Sequence, residues 1–174
     1  DKEEKLKNSN KKINDIFESS SNVILNSKYL SEEIEKSVAL ITKSIKNGNK
    51  IIIFGNGGSA ADAQHMAAEF VGRFMKERKS FPAIALSTDS SIITAIGNDY
   101  GFERIFSRQL ESLVKKGDVV LAISTSGKSK NILHGIKTAK QFNLKIISLT
   151  GKTSPKMKSL SDIFLNVQSS ETAR

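Results

Sequence analysis

A histidine and a glutamate stand four residues apart, at a spacing that suits proton transfer or metal binding. His65 and Glu69 lie in a run that predicts a helix from Ser59 to Met75, and an i, i+4 pair shares one helix face, roughly 5–6 Å apart at Cβ. A carboxylate can act as a general base, and imidazole with carboxylate can bind Zn²⁺. The same spacing is common on ordinary polar helix faces. Arg73 extends this row, either toward a substrate or as an ion-pair partner of Glu69 or Glu77.

A glycine-rich turn comes directly before that helix. The apolar run Ile51 to Phe54 predicts a buried parallel strand because no polar residue interrupts it. The sequence GNGGS follows, and glycines let main-chain N–H groups come close to a ligand. A helix start also offers unpaired N–H groups and the positive end of its dipole, and Ser59 adds a hydroxyl. We therefore predict a bound phosphate here, although the turn matches neither the dinucleotide fingerprint nor the P-loop.

A second strand, loop and helix repeat this plan later in the chain. Asp118 to Ser124 predicts a buried strand, and a helix follows from about Asn131 to Phe142. Four hydroxyl residues lie between or beside them: Ser124, Thr125, Ser126 and Ser129. Hydroxyls at a helix start suit a phosphate. Because open α/β sheets bind ligands beyond the carboxyl ends of their strands, we expect both loops to line one crevice.

The rest of the chain alternates between predicted strands and helices. Further strands are expected at 81–86, 144–150 and 163–167, and helical segments at 91–96 and 102–114, with a break at 97–101 and a loop at 151–155. Such alternation predicts an α/β fold, in which a parallel sheet has helices on both faces, a three-layer sandwich.

Two additional helices are predicted before the first strand. Residues 3–26 have an apolar stripe that includes Leu6. A second helix is expected to be capped by Ser31 and to end at Asn47 and Gly48. Two helices present more apolar surface than is needed to cover one small sheet. We therefore expect part of this surface to lie between subunits.

Length and composition indicate one cytoplasmic globular domain. The 174 residues suffice for a single domain, here 1–48 as the N-terminal helices and 49–174 as the sheet core. The chain has no cysteine, and no apolar run has the length of a membrane span. The net charge of +9 invites a nucleic-acid interpretation. The lysines are scattered, however, and no recognised nucleic-acid motif is present, so we expect neither a nucleic-acid nor a membrane partner.

Four segments together resemble a known family: GNGGSAADAQHMAAEFVGRF, IGNDYGFERIFSRQLE, ISTSGKSKNI and SSETAR. The chain is similar to the sugar isomerase (SIS) domain and, within it, to the bacterial phosphoheptose isomerases. The resemblance implies a five-stranded parallel flavodoxin-like sheet and a homotetramer with active sites between subunits. It also implies an aldose–ketose isomerase that converts sedoheptulose 7-phosphate to D-glycero-D-manno-heptose 7-phosphate, the first step toward the heptose of lipopolysaccharide and related glycans.

The resemblance also implies substrate contacts by position. Asn56, Gly57 and Gly58 would hold the substrate chain, and Asn98 and Asp99 would contact sugar hydroxyls. The phosphate would be held by the four hydroxyl residues of the second loop, Ser124, Thr125, Ser126 and Ser129.

For the chemistry, the resemblance implies His65 as a zinc ligand and Glu69 as both a zinc ligand and the catalytic carboxylate that contacts substrate. A further Gln ligand and a catalytic His would lie on a helix that begins just after the final TAR. We therefore expect one zinc ion per subunit and an incomplete site in this chain.

Two alternatives remain open. A non-catalytic SIS-domain protein that senses a phosphosugar, or that binds a partner such as a replication initiator, would keep the glycine loop but would not need Glu69. The second alternative is a relative that acts on another phosphosugar, such as one derived from N-acetylmuramate. His134 is expected at the surface, on the polar side of its helix.

Overall fold

Five parallel strands form the central layer of the fold. The structure, a computed structural model of the chain, describes residues 2–151, 153–169 and 171, without the side chains of Lys2, Glu3 and Leu6. The predicted contribution of Leu6 to the apolar stripe, and most of the final SSETAR segment, therefore lie outside the described residues. The strands are β1 (Ile51–Phe54), β2 (Ala83–Ala85), β3 (Val119–Ser124), β4 (Lys145–Thr150) and β5 (Ile163–Asn166).

The strand order places a topological switch point between β1 and β3. The order is β2-β1-β3-β4-β5, with every neighbouring pair parallel. Ile52 of β1 lies between Ile84 of β2 and Val120 of β3. From β1 the chain moves outward to β2 and then returns to the other side of β1. In a sheet of this order, the loops after β1 and β3 diverge and leave a crevice for a ligand.

The described part of the chain contains seven α-helices. They are α1 (Lys2–Asn26), α2 (Ser31–Lys46), α3 (Gly58–Val71), α4 (Ser90–Tyr100), α5 (Ser107–Leu113), α6 (Lys130–Gln141) and α7 (Pro155–Leu160), with 3₁₀ turns at Ser27–Leu30 and Phe102–Arg104. The predicted three-layer α/β sandwich with extra N-terminal helices is confirmed.

Alternate side chains of each strand enter two separate apolar cores. Ile51 and Ile53 face the core that includes residues of α2 and α3. Ile52 and Phe54 face the other core, which includes residues of α5, α6 and α7. All four side chains are at most 1% exposed. Burial on both faces explains why the strand sequence has no polar alternation.

Two predicted helix ends differ from the structure. The helix that contains His65 and Glu69 ends at Val71 instead of Met75, so Arg73 lies beyond it and pairs with Glu77 at 3.5 Å.

The break predicted at 97–101 is also wrong, because α4 continues to Tyr100 and ends at Gly101, where φ is +88°. A glycine such as Gly97 costs a helix only about 1 kcal/mol. At the start of α4, the Asp89 side chain caps the helix by accepting a hydrogen bond from the Ile92 N–H at 2.9 Å.

Three smaller features also differ. Ser31 is the first residue of α2 and its hydroxyl donates back to the Lys28 carbonyl, so Leu30 occupies the cap position. The loop was predicted to extend to residue 155, but α7 begins at Pro155, and the sequence did not reveal this helix. Ser154 caps that helix by accepting from the Met157 N–H, and Pro155 opens it. The segment 102–114 forms a 3₁₀ turn and the short α5 instead of one helix.

The N-terminal helix α1 exposes a row of large apolar side chains. Ile13, Ile16, Phe17 and Ile24 are 51%, 43%, 71% and 73% exposed. Their three- and four-residue spacing puts them on one side of the helix. Among the described residues, none covers that side, as the exposed fractions demonstrate.

Candidate functional site

The loop after β1 turns the chain directly into α3. Gly55 is buried, and a Cβ atom there would lie 2.6 Å from the Cβ of Ser59 and 2.7 Å from its carbonyl oxygen. Only glycine therefore allows the first turn of α3 to sit so close to the end of β1. The Asn56 carbonyl accepts from the Ser59 N–H and the Gly57 carbonyl from the Ala60 N–H, both at 3.0 Å.

His65 and Glu69 lie side by side on the exposed side of α3, as their spacing predicts. The His65 Nε2 and Glu69 Oε1 atoms are 3.2 Å apart, and the two side chains are 76% and 36% exposed. Both line an open groove of about 480 Å³. The other lining residues are mostly apolar: Met66, Phe70, Phe74, Arg78 and Phe81. The imidazole and the carboxylate are thus accessible to solvent at the edge of a mostly apolar groove.

Arg78 closes the carboxyl end of α3. Its Nη2 donates to the Glu69 carbonyl oxygen at 2.6 Å and its Nη1 to the Phe70 carbonyl oxygen at 3.0 Å. The guanidinium also lies 4.1 Å from the centre of the Phe81 ring. A cation at the carboxyl end of a helix satisfies carbonyls that have no intrahelical partner. These bonds explain why the helix ends at Val71.

The loop after β3 holds its hydroxyls in different environments. Ser124 is 5% exposed, and its Oγ accepts from the Gly127 N–H at 3.1 Å. Thr125 is exposed, whereas Ser126 and Ser129 are half-buried. The Ser126 Oγ accepts from the Lys128 N–H at 3.2 Å. The loop thus uses two of its hydroxyls to fix its own backbone.

Gly127 fixes the path of this loop against α7. Its φ is +62°, and a Cβ atom there would lie 2.4 Å from the Cβ of Ser154. The Ser154 hydroxyl donates to the Gly127 carbonyl at 2.8 Å while it caps α7. A residue with a side chain would therefore both strain the backbone and displace Ser154.

A pair of asparagines joins the two loops across the switch point. Asn56 Nδ2 donates to Asn131 Oδ1 at 2.9 Å, and Asn131 Nδ2 donates to Asn56 Oδ1 at 2.8 Å. Asn131 lies in the first turn of α6 and is 3% exposed. This contact agrees with the expectation that both loops line one crevice. The sequence did not identify Asn131 as a site residue. The only indication was an amide side chain at the start of the helix that follows the loop of Ser124, Thr125, Ser126 and Ser129, here called the hydroxyl loop.

Three other predicted residues lie outside the two loops. Glu69 stands eleven positions after Gly58, the first residue of α3, so at 1.5 Å per residue it lies about 16 Å along the helix from the glycine loop. Asn98 and Asp99 lie in the last turn of α4, on the other face of the sheet. Their side chains bond to each other at 2.8 Å. Among the described residues, no hydrogen bond or ion pair joins either of them to another predicted site residue.

His65 and Glu69 fit a zinc ion in the kind of donor but not in number. Imidazole nitrogen and carboxylate oxygen are both zinc ligands, and a site needs three or four of them. Within residues 2–151, 153–169 and 171, no group of three His, Cys, Asp or Glu side chains could hold a metal ion.

Two other observations concern the surface. His134 is half-buried, and its Nδ1 atom is buried without a hydrogen-bond partner in the described structure, so the surface interpretation was wrong for that atom.

None of the described helices combines the length and the apolar character needed to cross a bilayer.

Comparison with known proteins identifies close relatives. Residues 16–151 match the SIS domain family. The chain is 52% identical over 145 residues to phosphoheptose isomerase of Aliarcobacter butzleri, an alignment that spans 83% of this chain and 77% of the relative.

Two solved structures are also similar to this chain. Phosphoheptose isomerase GmhA from Neisseria gonorrhoeae superposes with a TM-score of 0.88 at 39% identity, covering 94% of this chain and 88% of the other. A phosphoheptose isomerase from Francisella tularensis gives 0.91 at 37% identity, covering 95% and 88%.

Proposed function

The chain belongs to the SIS-domain family, and from that premise we propose which of its residues isomerise a phosphorylated heptose. The activity is that of a phosphoheptose isomerase, as the relatives at about 50% identity and the two similar structures support. The reaction converts sedoheptulose 7-phosphate to D-glycero-D-manno-heptose 7-phosphate. It is the first step in making the heptose of surface glycans.

Isomerisation of a ketose to an aldose moves two protons. One leaves C1 and another arrives at C2, through an enediol whose two oxygens also exchange a proton. We assign the carbon-bound transfer to Glu69. Its carboxylate is partly exposed in the groove, and its backbone carbonyl is held by Arg78. A positioned carboxylate that solvent and substrate can reach is what this step requires. This exposed acid beside an imidazole is the observation on which the proposal depends.

The two loops would bind the rest of the substrate. Exposed glycines Gly57 and Gly58 and the Ser59 hydroxyl lie at the start of α3, where an anion is favoured. The hydroxyls of Thr125, Ser126 and Ser129 are the accessible phosphate donors of the second loop.

Ser124 belongs to the same phosphate set, but it is buried and its Oγ already accepts from Gly127. We therefore expect it to act mainly by shaping the loop. Asn98 and Asp99 remain proposed contacts to sugar hydroxyls.

Zinc is the cofactor we propose. His65 and Glu69 would supply two of its ligands. When bound, the ion would polarise the substrate carbonyl and stabilise negative charge on the enediolate. The remaining ligands would come from outside the described residues.

We also propose that the working enzyme is an oligomer, a tetramer by resemblance, with each site shared between copies. The glycine loop and Glu69 are about 16 Å apart along α3. With C–C bonds of about 1.5 Å, an extended heptose phosphate spans about 10 Å. A substrate whose phosphate sits at the loops of one chain is thus better placed for a Glu69 from a second copy. The exposed apolar row of α1 offers a surface for that copy.

The alternative is a phosphosugar sensor without catalysis, and Glu69 distinguishes the two. A binding protein gains nothing from an exposed carboxylate 3.2 Å from an imidazole. The test is to incubate the full-length protein with sedoheptulose 7-phosphate and to detect an aldose product. Conversion supports the isomerase. Binding without conversion, seen for instance as a thermal shift, would favour the sensor.

A further inference from the structure

The amide pair between Asn56 and Asn131 connects the two loops at the switch point by two hydrogen bonds, of 2.9 and 2.8 Å. The residues are 75 positions apart in the chain. Asn56 follows β1 and Asn131 belongs to the helix after β3, so the pair spans the line along which the crevice opens. Asn131 is 3% exposed, whereas Asn56 is half-buried.

A third hydrogen bond fixes the orientation of both amides. The Ile132 N–H donates to Asn131 Oδ1 at 2.9 Å, which identifies that atom as the oxygen and its neighbour as the nitrogen. Rotation of the Asn56 amide by 180° would then set nitrogen against nitrogen and oxygen against oxygen. Because a carboxamide has two N–H groups and two lone pairs on its oxygen, Asn56 keeps one N–H and one lone pair for a ligand, in a single fixed orientation.

We propose that Asn131 is a positioning residue for substrate binding, which acts by orienting the Asn56 side chain and by holding the glycine loop beside the hydroxyl loop. The inference rests on the proposed function and adds to it a residue that need not touch the substrate. Asn131 recognises the Asn56 amide, and Asn56 recognises a hydroxyl of the sugar phosphate.

The two strands do not need this pair to stay aligned. Their ladder runs from Ile51 opposite Val119 to Phe54 opposite Ala122. At the opposite, amino-terminal end, the buried Asp118 carboxylate accepts from the Lys50 N–H at 3.0 Å and from the Lys50 Nζ at 2.6 Å. The asparagine pair therefore acts at the carboxyl ends of β1 and β3, where the ligand would bind, and the alignment of the two strands does not depend on it.

The test is a double-mutant cycle in the full-length protein, with steady-state kinetics on sedoheptulose 7-phosphate. Asn131→Ala should raise KM about tenfold and leave kcat within about twofold, because a misoriented Asn56 weakens substrate binding by about 1.4 kcal/mol. Asn56→Ala should do the same. In the Asn56→Ala background, Asn131→Ala should change KM no further, because its partner is gone.

A control variant separates this role from simple stabilisation. Asp118→Asn removes the ionic tie between the same two strands at the other end, so it should lower the melting temperature without changing KM. Asn131→Ser keeps an oxygen for the Ile132 N–H and tests the role if the alanine variant is unstable. An unchanged KM in both Asn131 variants, or additive effects in the cycle, would overturn the inference while the isomerase stands. A wild type that binds but never isomerises the substrate would remove the proposed function and this inference with it.

Discussion

The Arg78 guanidinium donates to the main-chain oxygen of Glu69 at 2.6 Å, whereas the Glu69 carboxylate lies beside His65, 3.2 Å from its Nε2 atom. The proposed base is thus held by its backbone, two positions before the end of its helix. Further bonds from Arg78 to the carbonyl oxygens of Phe70 and Lys79, both at 3.0 Å, fold the following segment back onto the helix end. One side chain therefore sets both the end of α3 and one wall of the groove.

Replacing Arg78 should loosen this helix end. Arg78→Ala leaves several carbonyls without their charged donor, and each such bond contributes about 1.5–3 kcal/mol, so the urea midpoint should fall and kcat should fall with it. Arg73→Ala is the control, because Arg73 is exposed and pairs only loosely with Glu77, at 3.5 Å. Equal midpoints for the two variants would contradict the role given to Arg78.

Glu69→Gln should remove catalysis while substrate still binds. General-base catalysis contributes about 10²–10⁴ in rate, so kcat should drop by at least about a hundredfold. KM should change by only a few-fold, as measured by steady-state kinetics. Glu77→Gln alters a carboxylate that is 84% exposed beyond the helix end and should have no effect. Wild-type turnover by Glu69→Gln would rule out the mechanism.

Gly127→Ala should disturb the hydroxyl loop. The new Cβ would face the Ser154 Cβ at 2.4 Å, with φ at +62°. We expect a loss of at least about 1 kcal/mol of stability and a higher KM for the phosphorylated substrate. Gly97→Ala is the matched control, since apart from its chain neighbours and the backbone of its own helix no described atom lies within 4 Å of its added Cβ. Within α4 that change should be neutral or stabilising by thermal denaturation; similar losses in both variants would argue against the loop packing described.

Charged residues in the exposed apolar row of α1 should weaken assembly. The side chains of Phe17 and Ile24 are 71% and 73% exposed. Phe17→Glu or Ile24→Glu would replace one of these apolar side chains with a carboxylate. Light scattering should then report a smaller mass than for the wild type. Asn22 lies on the opposite side of the same helix, so Asn22→Glu should leave the mass unchanged. A wild type that is already monomeric would remove the shared-site proposal.

Zinc binding should depend on His65. Isothermal titration of the metal-stripped full-length protein with Zn²⁺ should give one site per subunit, and His65→Ala should weaken it at least about tenfold. His134→Ala is the control, because His134 lies on α6 and belongs to none of the predicted ligands. Unchanged affinity in His65→Ala would place the metal elsewhere.

The sequence predicted those parts of the fold that depend on local pattern. Ile51–Phe54 was identified to the residue because a strand buried on both faces has an uninterrupted apolar run. The pairing of His65 with Glu69 followed from helix geometry alone. The assigned roles of the loop residues, of Asn98 and Asp99 and of the zinc ligands remain predictions.

Features that depend on distant contacts were missed. The end of α3 is set by Arg78, which lies outside the helix and offers no periodic signal. The pair of Asn56 and Asn131 joins positions 75 residues apart. For α4, Gly97 suggested a break, but the asparagine and aspartate that follow it belong to the last turn of an intact helix.

The three helical turns between Gly58 and Glu69 have a practical consequence for anyone who assays this protein. If one molecule cannot both bind the phosphate and supply Glu69 to the same sugar, specific activity should fall on dilution below the dissociation constant of the oligomer, while circular dichroism reports fully native subunits.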